Sequence, residues 1–223
     1  MEEAHTVLQG EKSVDNISLS YNIYPVKKLL CMCHVREKRA KMGRVEVIAG
    51  SMFSGKTEEL IRRLTRAEIA KQKVLVFKPS IDNRYSEHHI VSHDVSKMSC
   101  ITIDNAEEIM PQIGDATVIG IDEAQFFDEK ILDVVTELAD MGKRVILSGC
   151  EMYSSGEPFG QMGALMCIAE DVDKLQAVCM VCGEEAYISY RKEQPQNGNI
   201  LIGYSDIYEA RCRKCAHLNG KKS

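Results

Sequence analysis

Gly50-Ser51-Met52-Phe53-Ser54-Gly55-Lys56-Thr57 satisfies the spacing G-x-x-x-x-G-K-[ST] at every fixed position. The glycines let main-chain N–H groups curl around phosphate oxygens without a Cβ clash. Lys56 supplies a point charge for β- and γ-phosphates, and the Thr57 hydroxyl is placed to ligate Mg²⁺. A helix starting at this point adds partial positive charge behind the phosphates. The bland alternative is a Gly-rich turn with a chance Lys-Thr, but an apolar strand pattern precedes the loop and a helical one follows. A second reactive pair, Asp122-Glu123, ends the apolar run Val118-Ile119-Gly120-Ile121. An acid at such a strand end lies beside a phosphate loop and holds Mg²⁺, usually through water, which leaves Glu123 able to take a proton. Surface decoration is the competing reading, and an acid pair directly after four apolar residues argues against it.

The nine cysteines supply a third chemistry. Cys179-x-x-Cys182 and Cys212-x-x-Cys215 can present four thiolates tetrahedrally to zinc, at Zn–S of about 2.3 Å. Four thiolates leave no open position for water, so such a zinc is structural. Redox-active thiols are the alternative; His217 is a substitute ligand that fits the spacing less well than Cys215. Cys31, Cys33, Cys100, Cys150 and Cys167 have no such arrangement, and a metal site at Cys31, Cys33 and His34 lacks a fourth ligand nearby.

Elements must exist to hold these groups. At 223 residues the chain has room for one full domain and a small appendage, and 44% hydrophobic residues suffice for a core. No apolar run reaches the roughly 18–20 residues that a membrane-spanning helix needs. A net charge of −5 argues against a nucleic-acid coat working through bulk positive charge. The N-terminus lacks the apolar region of a secretory signal, so the expected compartment is the reducing cytoplasm. Residues 1–41 read as a flexible extension or leader, with Met42 a possible initiator.

From there strand and helix patterns alternate. Val45–Ala49, Val74–Phe77, Cys100–Ile103, Thr117–Ile121 and Arg144–Leu147 read as strands. Thr57 to about Gln72 reads as a helix with Leu60, Ile61, Leu64 and Ile69 on its apolar face, Asn105–Met110 as a short helix, and Lys130–Met141 as a helix closed by Gly142. Residues 80–97 lack a period and read as a loop. The expected fold is α/β: a P-loop (RecA-like), mainly parallel sheet flanked by helices over 42–178, then a small zinc ribbon over 179–217, and a tail at 218–223.

The segments GSMFSGKTEELIRR (50–63), FKPSIDNRYS (77–86), SHD (92–94), IGIDEAQFF (119–127), EPFG (157–160), KLQAVCMVCGEEA (174–186) and IGYSDIYEARCRKC (202–215) together resemble the type II, zinc-containing thymidine kinases. The likeness covers about 42–217. It implies transfer of the γ-phosphoryl of ATP to the 5′-hydroxyl of thymidine, giving dTMP in nucleoside salvage for DNA synthesis. It also implies ATP, Mg²⁺ and structural Zn²⁺, a homotetramer, and feedback inhibition by dTTP. Glu123 resembles the general base, Arg84 the active-site arginine, and Asp82 its neighbouring acid. The nucleotide site then comprises Gly50, Ser51, Met52, Phe53, Ser54, Gly55, Lys56 and Thr57 with Asp82, Asp122, Glu123, Ala124 and Gln125. Met52, Phe126 and Phe159 match nucleoside-pocket positions. Asn199, Ile200, Leu201, Ile202 and Gly203 match the lasso that contacts thymine, with Tyr208 the matching tyrosine.

Two stretches depart from the pattern. Ser154 stands where the family has a phenylalanine that packs on the nucleoside, so stacking must come from Tyr153, from elsewhere, or be lost. Residues 187–197 differ from the arginine-rich run common there. Two rival functions are a zinc-ribbon ATPase acting on nucleic acid, since Asp-Glu-Ala-Gln resembles helicase acid motifs, and a non-catalytic nucleotide-binding regulator. The short chain and negative charge speak against the first, and intact Lys56 and Glu123 against the second.

Overall fold

The computed structural model describes residues 42–81, 89–91, 97–192 and 207–217. The expectations for 1–41 lie outside the described residues, as do Asp82, Arg84, Asn199–Gly203 and the tail from 218. Six strands form the main sheet: β1 (Arg44–Gly50), β2 (Val74–Pro79), β5 (Ile101–Ile103), β6 (Val118–Ile121), β7 (Arg144–Gly149) and β8 (Asp171–Leu175). Their order is β5-β2-β6-β7-β1-β8, and every pairing is parallel. All six strands therefore end at the same edge, where ligand sites of open α/β sheets lie.

The central strands are buried on both faces, and alternate side chains meet different helices. On one face Val45, Val47, Ala49, Ile119, Ile121, Val145 and Leu147 pack with Ile131, Val134, Val135 and Leu138 of α2 (Lys130–Asp140) and Met162 and Leu165 of α3 (Met162–Ile168). On the other, Ile48, Val76, Val118 and Ile146 meet Leu60, Ile61, Leu64 and Ala67 of α1 (Lys56–Ile69). Gly120 permits this close approach, since a Cβ there would sit 2.7 Å from Leu64 Cδ1. Truncating a fully buried leucine such as Leu64 to alanine costs about 2–5 kcal/mol. Among the described residues no helix is long and apolar enough to cross a membrane.

Several local expectations are corrected. α1 stops at Ile69 because Lys71 turns the chain left-handed, at φ 59°, and Ile69 is 77% exposed instead of joining the apolar face. The stretch read as a loop over 80–97 holds β3 (His89–Val91) and the start of β4 (Lys97–Ser99), which pair antiparallel. Three residues are too few to show a period. The short helix at 105–110 is instead two 3₁₀ turns, Ala106–Glu108 and Met110–Gln112, because Pro111 cannot continue a helical ladder. α3 and β8 carried no recognisable pattern. β8 is a half-buried edge strand rich in charge, and Arg63 and Arg44 take up its Asp173 and Asp171.

The C-terminal module consists of β9 (Ala177–Val178) with β10 (Glu185–Ala186), and β11 (Ile188–Arg191) with β12 (Tyr208–Arg211), followed by α4 (Arg213–His217). Its small core is Ala177, Cys179, Ala186, Ala210 and Cys215.

Candidate active site

The chain leaves β1 at Gly50, where a Cβ would fall 2.6 Å from the Leu175 carbonyl oxygen of β8, so only glycine fits between the strands. Gly55 caps α1 at φ 83°, a left-handed conformation that suits glycine. Between them the loop is held by its own polar groups. The Ser51 carbonyl accepts from Ser54 Oγ and from Lys56 Nζ, both at 2.8 Å. Lys56 is thus folded back over the loop that it would share with a phosphate. Its bond to a neutral carbonyl can be exchanged for a stronger bond to an anion.

Beyond β6, Asp122 is 6% exposed, and its Oδ1 accepts from the Glu123 N–H at 3.0 Å and from the Ser148 hydroxyl of β7. Glu123 adopts φ 51°, left-handed for a residue with a Cβ, which costs on the order of 1 kcal/mol and aims its side chain out of the strand line. Gln125, 4% exposed, donates to Glu123 Oε2 and accepts from the Cys150 N–H at 3.0 Å. It therefore braces the carboxylate from behind. Ala124 is fully buried in the core and turns no side chain to the site.

Burial works against the charge on Lys56, but Cys150, Glu123 and Asp122 beside it outweigh that and raise its pKa. Burial pushes the Cys150 thiol up, while the Lys56 ammonium beside it pulls the other way. Lysine, acid pair and phosphate loop thus share one electrostatic environment at the strand ends. That arrangement can neutralise a polyphosphate and accept a proton next to it. Thr57 follows Lys56 in the first turn of α1.

An aromatic cluster starts in the turn that follows the acid pair. Phe126 meets Phe159 edge-on, with centroids 5.4 Å apart, and Tyr153 stacks on Phe159 at 3.9 Å and 25°. Ser154, at the tip of the same loop, is exposed.

The C-terminal module reaches the phosphate loop directly. The Met52 N–H donates to Ser189 Oγ at 2.9 Å, Ser51 Oγ donates to the Ala186 carbonyl, and Phe53 packs on the module's core. Sequence reasoning missed Ser148, Cys150 and Ser189. The first two lie one and three positions past the apolar part of β7, and only strand adjacency brings them to Asp122 and Gln125. Tyr208 opens β12 opposite Arg191, and the Lys192 N–H donates to the Ile207 carbonyl at 2.9 Å. These bonds pair the strands on either side of 193–206.

Cys179, Cys182, Cys212 and Cys215 bring their sulfurs within 4.8 Å of one another, with Cys182 Sγ 3.7 Å from Cys212 Sγ. A tetrahedron with Zn–S bonds of about 2.3 Å has sulfurs about 3.8 Å apart, so the four residues fit zinc. Crowding splits their acidities. Against burial, main-chain N–H groups pull Cys179 down to about 6, while burial and the neighbouring sulfurs push Cys215 up to about 12. Four thiolates this close call for a dication.

A family model described as thymidine kinase matches residues 43–216. A thymidine kinase of Bacteroides fragilis (strain YCH46) is 49% identical over 182 residues, covering 82% of this chain and 90% of that protein. The thymidine kinase of strain ATCC 25285 of the same species matches to the same extent. The aligned span takes in the phosphate loop, the acid pair and the four-cysteine knot together, and the chain belongs to the thymidine kinase family.

Proposed function

We propose that the chain transfers the γ-phosphoryl group of ATP to the 5′-hydroxyl of thymidine, producing dTMP for nucleotide salvage. The observation that carries this reading is the convergence of Lys56, Asp122 and Glu123 at the end of one parallel sheet, with Phe126 in the turn that follows. Phosphoryl transfer needs positioning and charge neutralisation more than covalent help. Main-chain N–H groups of Gly50–Thr57 cradle the phosphates, and Lys56 exchanges the Ser51 carbonyl for a phosphate oxygen. Glu123, braced by Gln125, accepts the proton of the 5′-hydroxyl as that oxygen attacks the γ-phosphorus and the bond to the bridging oxygen breaks, releasing ADP. Thr57 and Asp122 are the residues that would hold Mg²⁺, which neutralises charge on the β- and γ-phosphates.

In the same reading, Arg84 stabilises the transferring phosphoryl and Asp82 accompanies it. Met52, Phe126 and Phe159 line the nucleoside pocket, and Tyr208 borders it. Asn199–Gly203 contacts the thymine edge through main chain. Zinc on the four cysteines holds the strands from which that segment departs. Closure of the segment excludes water, which otherwise hydrolyses ATP. We further propose a cytoplasmic homotetramer inhibited by dTTP.

A nucleoside panel with ATP and Mg²⁺, scored for monophosphate, tests the proposal. Thymine offers one donor between two acceptors, and cytosine's reversed pattern leaves buried groups unmatched. Thymidine is therefore expected to react far faster than deoxycytidine. Equal rates on the two would remove the thymidine-specific reading, and ATP hydrolysis stimulated by DNA without nucleoside would replace it with a nucleic-acid ATPase.

A further inference from the structure

Three half-buried aromatic rings, the first of them in the turn that follows the acid pair, meet outside the sheet's core. Phe126 lies in the 3₁₀ turn that begins directly after Glu123, so its ring is tied to the carboxylate by three residues of rigid chain. Phe159 touches Phe126 edge-on, and its face is covered by Tyr153. Both Tyr153 and Phe159 belong to one tight loop. The Tyr153 N–H donates to the Glu157 carbonyl, the Phe159 N–H donates to the Glu151 carbonyl, both at 2.9 Å, and Met152 bridges Pro158. Main-chain bonds therefore present the two rings to each other. Ser154, the next residue, is exposed at the turn and contributes no ring.

A lone phenylalanine ring at a partly open site turns about two side-chain torsions. With one face against Tyr153 and the Phe126 ring at right angles to it, Phe159 is restrained on two sides. Offset stacking and edge-on contacts reinforce that restraint beyond area burial. A planar, neutral ring is the ligand such a surface suits, and ordering Phe159 beforehand lowers the cost of binding it.

We propose that Tyr153 is a positioning residue for the nucleobase, clamping Phe159 so that the Phe126–Phe159–Tyr153 platform stacks on the pyrimidine. The role rests on the thymidine kinase reading above and supplies the aromatic surface that Ser154 lacks. It needs the ring of Tyr153 and not its hydroxyl.

The test is steady-state kinetics of full-length wild type, Tyr153→Ala and Tyr153→Phe, with zinc content and melting temperature measured on each. Tyr153→Ala is expected to raise thymidine KM about five- to tenfold, the range of one aromatic stacking contact. Its kcat and its KM for ATP should stay within about twofold of wild type. Tyr153→Phe should restore thymidine KM. An unchanged thymidine KM in Tyr153→Ala, an equal loss of ATP affinity, or a Tyr153→Phe enzyme as impaired as the alanine variant would each overturn the role. Wild type that makes dTMP while Tyr153→Ala keeps its KM defeats Tyr153 alone. Wild type that makes no dTMP defeats the kinase reading and this role with it.

Discussion

Strand β1 carries a charged cluster at each end, and the two are built oppositely. Near its start Glu46, 3% exposed, accepts from Arg63 and twice from Arg144, at 2.6–2.9 Å. Arg63 goes on to bond Glu59 and Asp173, so its guanidinium is enclosed by three carboxylates. Burial opposes the Glu46 charge, yet Arg144 and Arg63 outweigh it and lower the pKa. At the other end Lys56 bonds to a main-chain carbonyl while sharing its surroundings with two carboxylates. The first cluster answers each charge with an opposite one and has its role in stability. The second holds its cation against an exchangeable neutral partner, which is what binding an anion requires. The four sulfurs stand between these extremes, since as thiolates at this spacing they would need a dication to offset their charge.

Breaking the open cluster should affect chemistry more than stability. Glu123→Gln is expected to lower kcat by about 10²–10⁴, the usual worth of a positioned base, with ATP and thymidine affinity retained. Single-turnover assays beside a thermal melt check this. Near-normal turnover would remove Glu123 from the proposed role.

Breaking the closed cluster should do the reverse. Glu46→Ala leaves buried Arg63 short of a partner and should cost about 3–5 kcal/mol. That corresponds to a melting temperature lower by about 10 °C at this chain length, with kcat per folded molecule unchanged. A large loss of kcat at full stability would mean that the two ends of β1 are not functionally separate.

The intermediate cluster should respond through its metal. Cys182→Ser is expected to reduce bound zinc from one per chain to near zero by atomic absorption, and to raise thymidine KM. Active wild-type enzyme dialysed free of zinc would contradict a structural role for the ion.

The smallest effect is set by pH. Arg62 first, then Arg63, hold the Glu59 carboxyl at about 2, below its ordinary 4.5. A depressed carboxyl pKa contributes stability that is complete above about 4.5 and fades as pH falls towards 2. Because the pair with Arg62 is solvent-exposed, screening leaves about 1 kcal/mol or less. Melts of wild type and Glu59→Gln between pH 6 and 2.5 should differ most at pH 6 and converge on acidification. A constant difference would mean that the carboxylate charge is not what Glu59 contributes.

The parallel sheet, the phosphate loop, the acid pair and the four-cysteine knot were all legible in the residues. Each rests on local chemistry: short continuous apolar runs, glycines where a backbone must pass close to another, and ligands at fixed spacing. β8 and α3 were not legible, because an edge strand masked by ion pairs and a two-turn helix lack a period of their own. Gln125 illustrates the same limit at the site. Its place in a nucleotide motif points to ATP, while its side chain spans from Glu123 to Cys150.

What the chain alone determined is therefore the set of reactive groups and the strand or turn that carries each. What tertiary structure decided is which of those groups meet. Ser148 reaches Asp122 because β6 and β7 are neighbours in the sheet, although they are separated in sequence by a helix. Ser189 reaches Met52 because the zinc module folds back on the phosphate loop. Tyr153 reaches Phe159 because a loop of main-chain bonds returns the chain on itself. Residue type and spacing act within a few positions along the chain. Electrostatics, stacking and hydrogen bonding act over a few ångströms in space, and only the packed fold converts one distance into the other.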